Sequence, residues 1–262
     1  VVAELEKARR PLICAGGGVL LSGAETELLA FAEKKQIPVV STMMGIGVMP
    51  TRHPLYFGMV GNNGKAYANR AMNESDLLLM VGARVADRAV NQPDLIMNNK
   101  VLIHMDVDPA EIGKNVGPTI PLVGDARHIF EDLLAQEFSC KCEEWVSTLK
   151  GYRQTMAPKR NPDPAYVDPA KFITMLSDKM EEDGVYVADV GQNQIWSCGY
   201  HVVKKGRFLT SGGMGTMGYS IPAAMGAKLA DKRRQVIAVC GDGSFQMSMM
   251  ELATMRQHNI PV

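Results

Sequence analysis

The chain has 262 residues, 46% hydrophobic and 21% charged, with 28 basic side chains against 28 acidic ones. That length holds one large domain or two ordinary ones, and a net charge of zero gives neither nucleic acid nor an anionic membrane a reason to bind. No apolar run reaches the length of a membrane span. The five cysteines form no C-x-x-C pair, so they read as reduced, mostly buried thiols of a cytoplasmic protein.

Strand-like and helix-like patterns alternate from the start. Residues 11–15 (PLICA) are a short apolar run ending in Gly16-Gly17-Gly18, as in a buried strand entering a glycine turn. A helix is predicted next, with Ser22 and Glu25 in capping-box spacing and Ala24, Leu28, Phe31 and Ala32 on one face. Residues 37–42 give a second strand, and the glycine-rich loop GMVGNNG (58–64) leads into a helix near 65–73. Strands follow at 77–81, 101–105 and 120–123. The last precedes a helix in which Ala126, Ile129, Phe130, Leu133 and Leu134 keep helical spacing. Apolar strands alternating with helices predict a Rossmann-like α/β domain over residues 1–138, its parallel sheet covered on both faces.

Residues 139–168 change character. A polar helix or coil at 140–150 is followed by Pro158, Pro162, Pro164 and Pro169, which predicts an interdomain linker. From 169 the alternation resumes, with helices expected at 169–180, 194–200, 216–230 and 245–258 and strands at 185–190, 208–210 and 236–240. Residues 169–262 therefore read as a second α/β domain. Val1 already lies in a helical pattern, and Ile260-Pro261-Val262 opens like a strand, so the sequence reads as part of a longer polypeptide with an incomplete second domain.

Two glycine-rich turns in that second domain carry the chemistry. One is residues 211–218 (SGGMGTMG); the other is Gly241-Asp242-Gly243-Ser244, directly after the strand-like VIAVC at 236–240. A glycine-lined strand-to-helix turn lets backbone N–H groups approach an anion. A carboxylate in that turn repels phosphate unless a metal ion sits between them, so Asp242 points to a Mg²⁺-bridged diphosphate. The plainer alternative is an ordinary Asp-Gly turn. For Met217 it is a first-turn core position, because Met217, Ile221, Ala224 and Met225 share a helical face.

The surrounding words resemble the acetolactate synthase large-subunit family of thiamine-diphosphate-dependent enzymes. They are VGQNQIW (190–196), TSGGMGTMGYSIPAAMGAK (210–228) and GDGSFQMSMMELATMRQHNIPV (241–262), with MGIGVMP (44–50), GARVADR (82–88), HMDVDPAEIGKN (104–115) and VGD (123–125) earlier on. The resemblance covers nearly the whole chain with the motifs in order. It implies a middle domain and the first part of a thiamine-diphosphate domain. The glutamate that activates the cofactor in the family belongs to an N-terminal domain, so no catalytic residue is assigned within these residues. The Asn pair completing the family's metal site would follow Val262, and these residues alone are expected to be inactive.

Carried across by the same resemblance, Asp242 would ligate Mg²⁺, and Gly243 and Ser244 would contact the diphosphate. Gly215, Thr216 and Met217 match the turn that supports the thiazolium and bends the cofactor. Gln192 and Asn193 stand where the family has Gln-His; an asparagine can donate a hydrogen bond but cannot titrate near neutrality. The family's middle domain also holds FAD in a structural role. Gly17, Thr42, Met43, Gly61, Asn62, Asn63, Gly64, Arg84, Asp87, Arg88, Asp106, Val107 and Asp125 match flavin-contact positions. The family's Arg-Phe-Asp-Asp-Arg is here Arg84-Val85-Ala86-Asp87-Arg88, and its Gly-Met-His-Gly is Gly61-Asn62-Asn63-Gly64, departures that bear directly on flavin binding. For the two arginines the competing reading is a solvated turn paired with Asp87.

The implied reaction condenses pyruvate, with loss of CO₂, onto a second 2-oxo acid in branched-chain amino-acid biosynthesis. The family also implies a homo-oligomer and a small regulatory subunit. The alternatives are another carboligase or decarboxylase of the superfamily, such as glyoxylate carboligase, and a non-catalytic binding or assembly module. The five histidines lack metal-ligand spacing, and the basic runs at 204–205 and 232–234 read as solvated surface.

Overall fold

Each apolar run of the first domain is a strand in the computed structural model, which describes residues 1–85, 100–158 and 163–262. The strands are β1 (Pro11–Ala15), β2 (Val39–Ser41), β3 (Tyr56–Met59), β4 (Leu77–Val81), β5 (Val101–Asp106) and β6 (Ile120–Val123). They form one sheet in the order β3-β2-β1-β4-β5-β6, parallel throughout. The direction of strand order reverses between β1 and β4, the place where open α/β sheets bind ligands. The helices are α1 (Val2–Lys7), α2 (Gly17–Ser22), α3 (Glu25–Lys35), α4 (Ala66–Glu74), α5 (Ala126–Ala135) and α6 (Glu143–Thr155).

Alternation along the strands divides the core in two, because successive side chains point to opposite faces. Ile13, Leu77, Leu79, Val81 and Ile103 pack with Leu28 and Phe31 of α3 and Phe130 and Leu133 of α5. Leu12, Cys14, Leu78, Met80 and Leu102 pack with Ala68, Ala71 and Met72 of α4 and with Trp145 and Leu149 of α6. Strands buried on both faces explain runs that are apolar without alternation.

Three expectations are corrected here. Residues 143–155, assigned to a linker, are helix α6, which covers one face of the first sheet. The capping box at Ser22 does not form: Ser22 ends α2, its Oγ donates to the Val19 carbonyl, and α3 starts after Ala24 with no side-chain cap. Strand β3 falls where no strand was predicted.

Among the described residues, 1–49 and 53–158 form one unit, and 50–52 and 163–262 the other. The second unit is built on β7 (Val185–Ala188), β8 (Arg207–Thr210) and β9 (Val236–Val239). They are parallel, in the order β8-β7-β9. Its helices are α7 (Pro169–Lys179), α8 (Gln192–Tyr200), α9 (Ser220–Ala230), α10 (Asp242–Ser248) and α11 (Glu251–Gln257). The start of α7 is set by Asp168, which accepts from Ala170 N and Lys171 N, with Pro169 in the first turn. Val185, Val187 and Val236 pack with Ala224 of α9. Tyr186 stacks on His201 with ring centroids 4.1 Å apart, and its hydroxyl meets Ser197 Oγ at 2.8 Å. Two helix predictions change. The 216–230 helix starts only at Ser220, and the 245–258 helix is two helices, α10 and α11. No helix among the described residues is long and apolar enough to cross a membrane.

Candidate functional site

Parallel strands end together, so the segments leaving β7, β8 and β9 gather at one edge of the second sheet. From β9 the chain enters the Gly241–Ser244 turn. Asp242 opens α10 and is exposed, with no hydrogen bond or ion pair to its carboxylate among the described residues. The first N–H groups of any helix lack intrahelical acceptors, and Gly243 adds no side chain over them. Ser244 is buried, and its hydroxyl is already used: Oγ accepts from Gly241 N at 3.1 Å and donates to Gly241 O at 3.2 Å. It shapes the turn, which leaves its backbone rather than its side chain to face a ligand.

The loop from β8 reaches the same place. A Cβ placed on Gly243 would lie 3.5 Å from Met217 Cε, and one on Gly218 would lie 3.1 Å from Met247 Cβ in α10. Gly215 and Gly218 take φ of +66° and +81°, values that favour glycine. Met217 is therefore outside the helix, 42% exposed, and sits against the Gly-Asp-Gly turn rather than with Ile221 and Met225 in the core. The two glycine turns are neighbours.

The segment leaving β7 supplies residues that sequence reasoning passed over. Asp189 is fully buried. Its Oδ1 accepts from Val190 N at 2.8 Å and Gly218 N at 3.0 Å, and its Oδ2 accepts from Ser220 N at 2.7 Å. Gln194, also buried, donates from Nε2 to Thr210 Oγ1 at 2.7 Å, and Thr210 Oγ1 donates to Ala188 O at 2.9 Å. Asn193 spends its amide inside the protein, donating to Asp189 O at 3.1 Å and Val239 O at 2.9 Å, which ties the ends of β7 and β9. Gln192 opens α8 and is exposed. The Cys240 thiol is pushed up by burial and then by the negative charge of Asp189, opposed by the Ser220 hydroxyl. It is no ready nucleophile at neutral pH.

This arrangement suits a diphosphate held through a metal ion. It offers an exposed, uncommitted carboxylate beside glycines that leave the backbone bare. Asp242 would supply one ligand only; no cluster of three metal-ligating side chains occurs among the described residues. A site for Mg²⁺ would draw its remaining ligands from phosphate oxygens, water and other protein groups.

In the first unit, the flavin-position residues that the structure describes follow the C-terminal ends of all six strands. Gly17 lies just after β1. Thr42 follows β2, buried, with its N–H on Ala15 O, and Met43 opens a short 3₁₀ turn. After β3, residues 61–64 form a turn closed by Gly64 N on Gly61 O and by Asn69, which bonds both Gly61 N and Gly61 O at 2.9 Å. Asn62 and Asn63 are exposed on that turn, and Arg84 is exposed after β4. Asp106 ends β5 and accepts from Asp108 N; Val107 is 72% exposed. Asp125 caps α5 through Arg127 N. Asp87 and Arg88 lie outside the described residues. The clustering of these positions on one edge suits an extended ligand laid across the strand ends.

Comparison with known proteins places both units in one enzyme family. The family described as "Thiamine pyrophosphate enzyme, central domain" matches residues 1–133. "Thiamine pyrophosphate enzyme, C-terminal TPP binding domain" matches residues 189–262. The chain is 42% identical over 272 residues to a probable acetolactate synthase large subunit of Methanocaldococcus jannaschii, covering all of this chain and 46% of that protein. It is 39% identical over 264 residues to the acetolactate synthase large subunit of Lactococcus lactis, covering 100% and 46%. To that of Corynebacterium glutamicum it is 40% identical over 268 residues, covering 100% and 43%. The chain thus spans about half the length of these relatives.

Proposed function

Because this chain belongs to the thiamine pyrophosphate enzyme family, we propose that it is part of an acetolactate synthase catalytic subunit. The complete protein would condense pyruvate, with loss of CO₂, onto a second 2-oxo acid. The products are 2-acetolactate or 2-aceto-2-hydroxybutyrate, on the way to branched-chain amino acids. The observation that carries this reading is Met217 seated against Gly243, with the free carboxylate of Asp242 beside them. Names of relatives about 40% identical along the whole chain supply the reaction class.

When bound, thiamine diphosphate supplies the carbon nucleophile and stabilises the negative charge left by decarboxylation. The chain's own residues do the holding. Asp242 would take a Mg²⁺ ion, and the backbone at Gly243 and Ser244 would meet the diphosphate. Met217, with Gly215 and Thr216, would support the ring system from the neighbouring turn, and exposed Gln192 is placed at the same edge. Asn193, with its amide committed to two carbonyls, would act on the shape of the edge rather than on the ligand. In the first unit, the edge formed by residues 17, 42–43, 61–64, 84, 106–107 and 125 would take FAD. A cytoplasmic homo-oligomer with a small regulatory subunit completes the proposal, in keeping with the term "large subunit" in relatives' names.

The test is a product assay on the full-length protein with Mg²⁺, thiamine diphosphate and pyruvate. Formation of 2-acetolactate with CO₂ release is expected. Turnover of glyoxylate in preference to pyruvate would replace this reading with another carboligase, and no turnover of either would point to a non-catalytic module. Flavin absorbance of the same preparation tests FAD separately: a colourless protein, unchanged by added FAD, overturns that assignment.

A further inference from the structure

We propose that Asp189 and Gln194 are positioning residues that clamp the 211–219 loop at both ends, fixing Met217 against the Gly241–Ser244 turn for cofactor binding. This rests on the thiamine-diphosphate reading of the site, and it assigns a role to two side chains that the motifs leave without one.

The loop needs holding. It spans nine residues between β8 and α9, and its tip packs on little: Met214 is 90% exposed, and a Cβ on Gly213 would meet nothing within 4 Å. Ordering such a segment costs conformational entropy at each residue, so contacts at its base must set its position. Those contacts converge on the segment from the end of β7 to the first turn of α8. At the first end, Gln194 Nε2 holds Thr210 Oγ1 at 2.7 Å and reaches Ser211 O at 3.4 Å. Inside the loop, Ser211 Oγ accepts from Thr216 N at 3.0 Å. At the second end, Asp189 takes Gly218 N on one oxygen and Ser220 N on the other.

The choice of a carboxylate is chemically specific. Asp189 accepts three backbone N–H groups at once and donates none. A buried charge is tolerated only when hydrogen-bonded in this way, and charge-assisted bonds are the stronger kind. The carboxylate also faces the N-terminal end of α9, where the helix dipole favours negative charge. Asparagine would keep the shape but turn an NH₂ toward one of these N–H groups. Met217 lies one residue from the anchored Gly218, so slack at Asp189 becomes displacement of Met217 from Gly243.

The test uses the full-length protein and its Asp189→Asn and Gln194→Met variants. Three quantities are read: thermal midpoint, amide hydrogen exchange without cofactor, and affinity for thiamine diphosphate at saturating Mg²⁺. The expected result is faster exchange confined to peptides covering 211–220. Cofactor affinity should fall by about tenfold or more for Asp189→Asn, equivalent to ~1.4 kcal/mol, and by less for Gln194→Met. Exchange that is unchanged at 211–220, or raised equally throughout the second unit, overturns the proposal, as does an affinity within about twofold of wild type despite a loosened loop. Should Asp189→Asn fail to fold, Gln194→Met and Thr210→Val carry the exchange and affinity readouts. If the unaltered protein does not bind thiamine diphosphate, the reading of the site fails. Exchange at 211–220 still decides, on its own, whether the clamp exists.

Discussion

The two units use the same parallel α/β plan and differ in how they treat apolar surface. In the first, β1, β2 and β4 are buried along their whole length. In the second, β9 is buried only at Val236 and β8 at alternate residues. Around the second unit's site, Met214, Met217, Phe245, Met247, Met249 and Met250 are all exposed. The first unit thus spends most of its apolar residues on the core, and at its strand ends exposes Asn62, Asn63 and Arg84 together with Val107. The second keeps apolar side chains beside its glycine turns. The lesson is that burial along the strands fixes the first unit's sheet, whereas hydrogen bonds accepted by Asp189 and donated by Asn193 and Gln194 fix the second unit's strand ends.

Substitutions can break that contrast, the largest effect first. Phe31 is fully buried and meets Phe130 at 5.4 Å between ring centroids. Phe31→Ala should cost ~3–5 kcal/mol in urea unfolding. A loss under ~1 kcal/mol would mean that the two-faced core is not what holds the first unit.

Next is His201, whose pKa is lowered to about 4, mainly by burial and further by Lys204. The folded state therefore holds the neutral ring, while the unfolded chain takes up a proton as pH falls below the ordinary value of 6.5. Stability from this group is complete above about pH 6.5 and is lost as pH falls toward 4, by about 3 kcal/mol in all. Urea midpoints measured from pH 7 to pH 4 should show that slope. The His201→Asn variant, less stable at pH 7, should show a flatter one; an identical slope would remove His201 as its source.

Gly218→Ala should destabilise by ~1–2 kcal/mol, since the position combines φ of +81° with Met247 Cβ at 3.1 Å from the added carbon. A neutral or stabilising effect would mean that the turn has room to move. The smallest effect is expected at Met250, 67% exposed: Met250→Ser should stay within ~0.5 kcal/mol. A large loss there would show that this apolar surface is structurally covered.

Much of this was legible in the residues. Runs such as 77–81 and 101–105 declare themselves as strands because a sheet covered on both faces admits apolar side chains at every position. A helix or coil is legible at 140–150, but the place of α6 in the first unit was hidden because Trp145, Val146 and Leu149 are spaced among charged residues and followed by prolines. Edge strand β3 was masked by Gly58 within a four-residue run. Helix α9 was read too early because Gly215 to Tyr219 keeps helical spacing while the positive φ of Gly215 and Gly218 excludes a helix. The strand-to-helix turn at Gly241–Ser244 could be read from its motif, a local pattern. Asp189 could not, because its partners lie 29 and 31 residues away, and only the parallel pairing of β7 with β8 and β9 brings them within reach.

Asp242 is the residue at which the proposed cofactor site is tested most directly. Thiamine diphosphate binding to the full-length protein should be measured by titration with and without Mg²⁺, for the wild type and for Asp242→Asn. The expected result is binding that requires Mg²⁺ and weakens at least about tenfold in the variant, with the thermal midpoint of the cofactor-free protein unchanged because the carboxylate is exposed and free of partners. Binding that ignores Mg²⁺, or a variant that binds as tightly as the wild type, would contradict it.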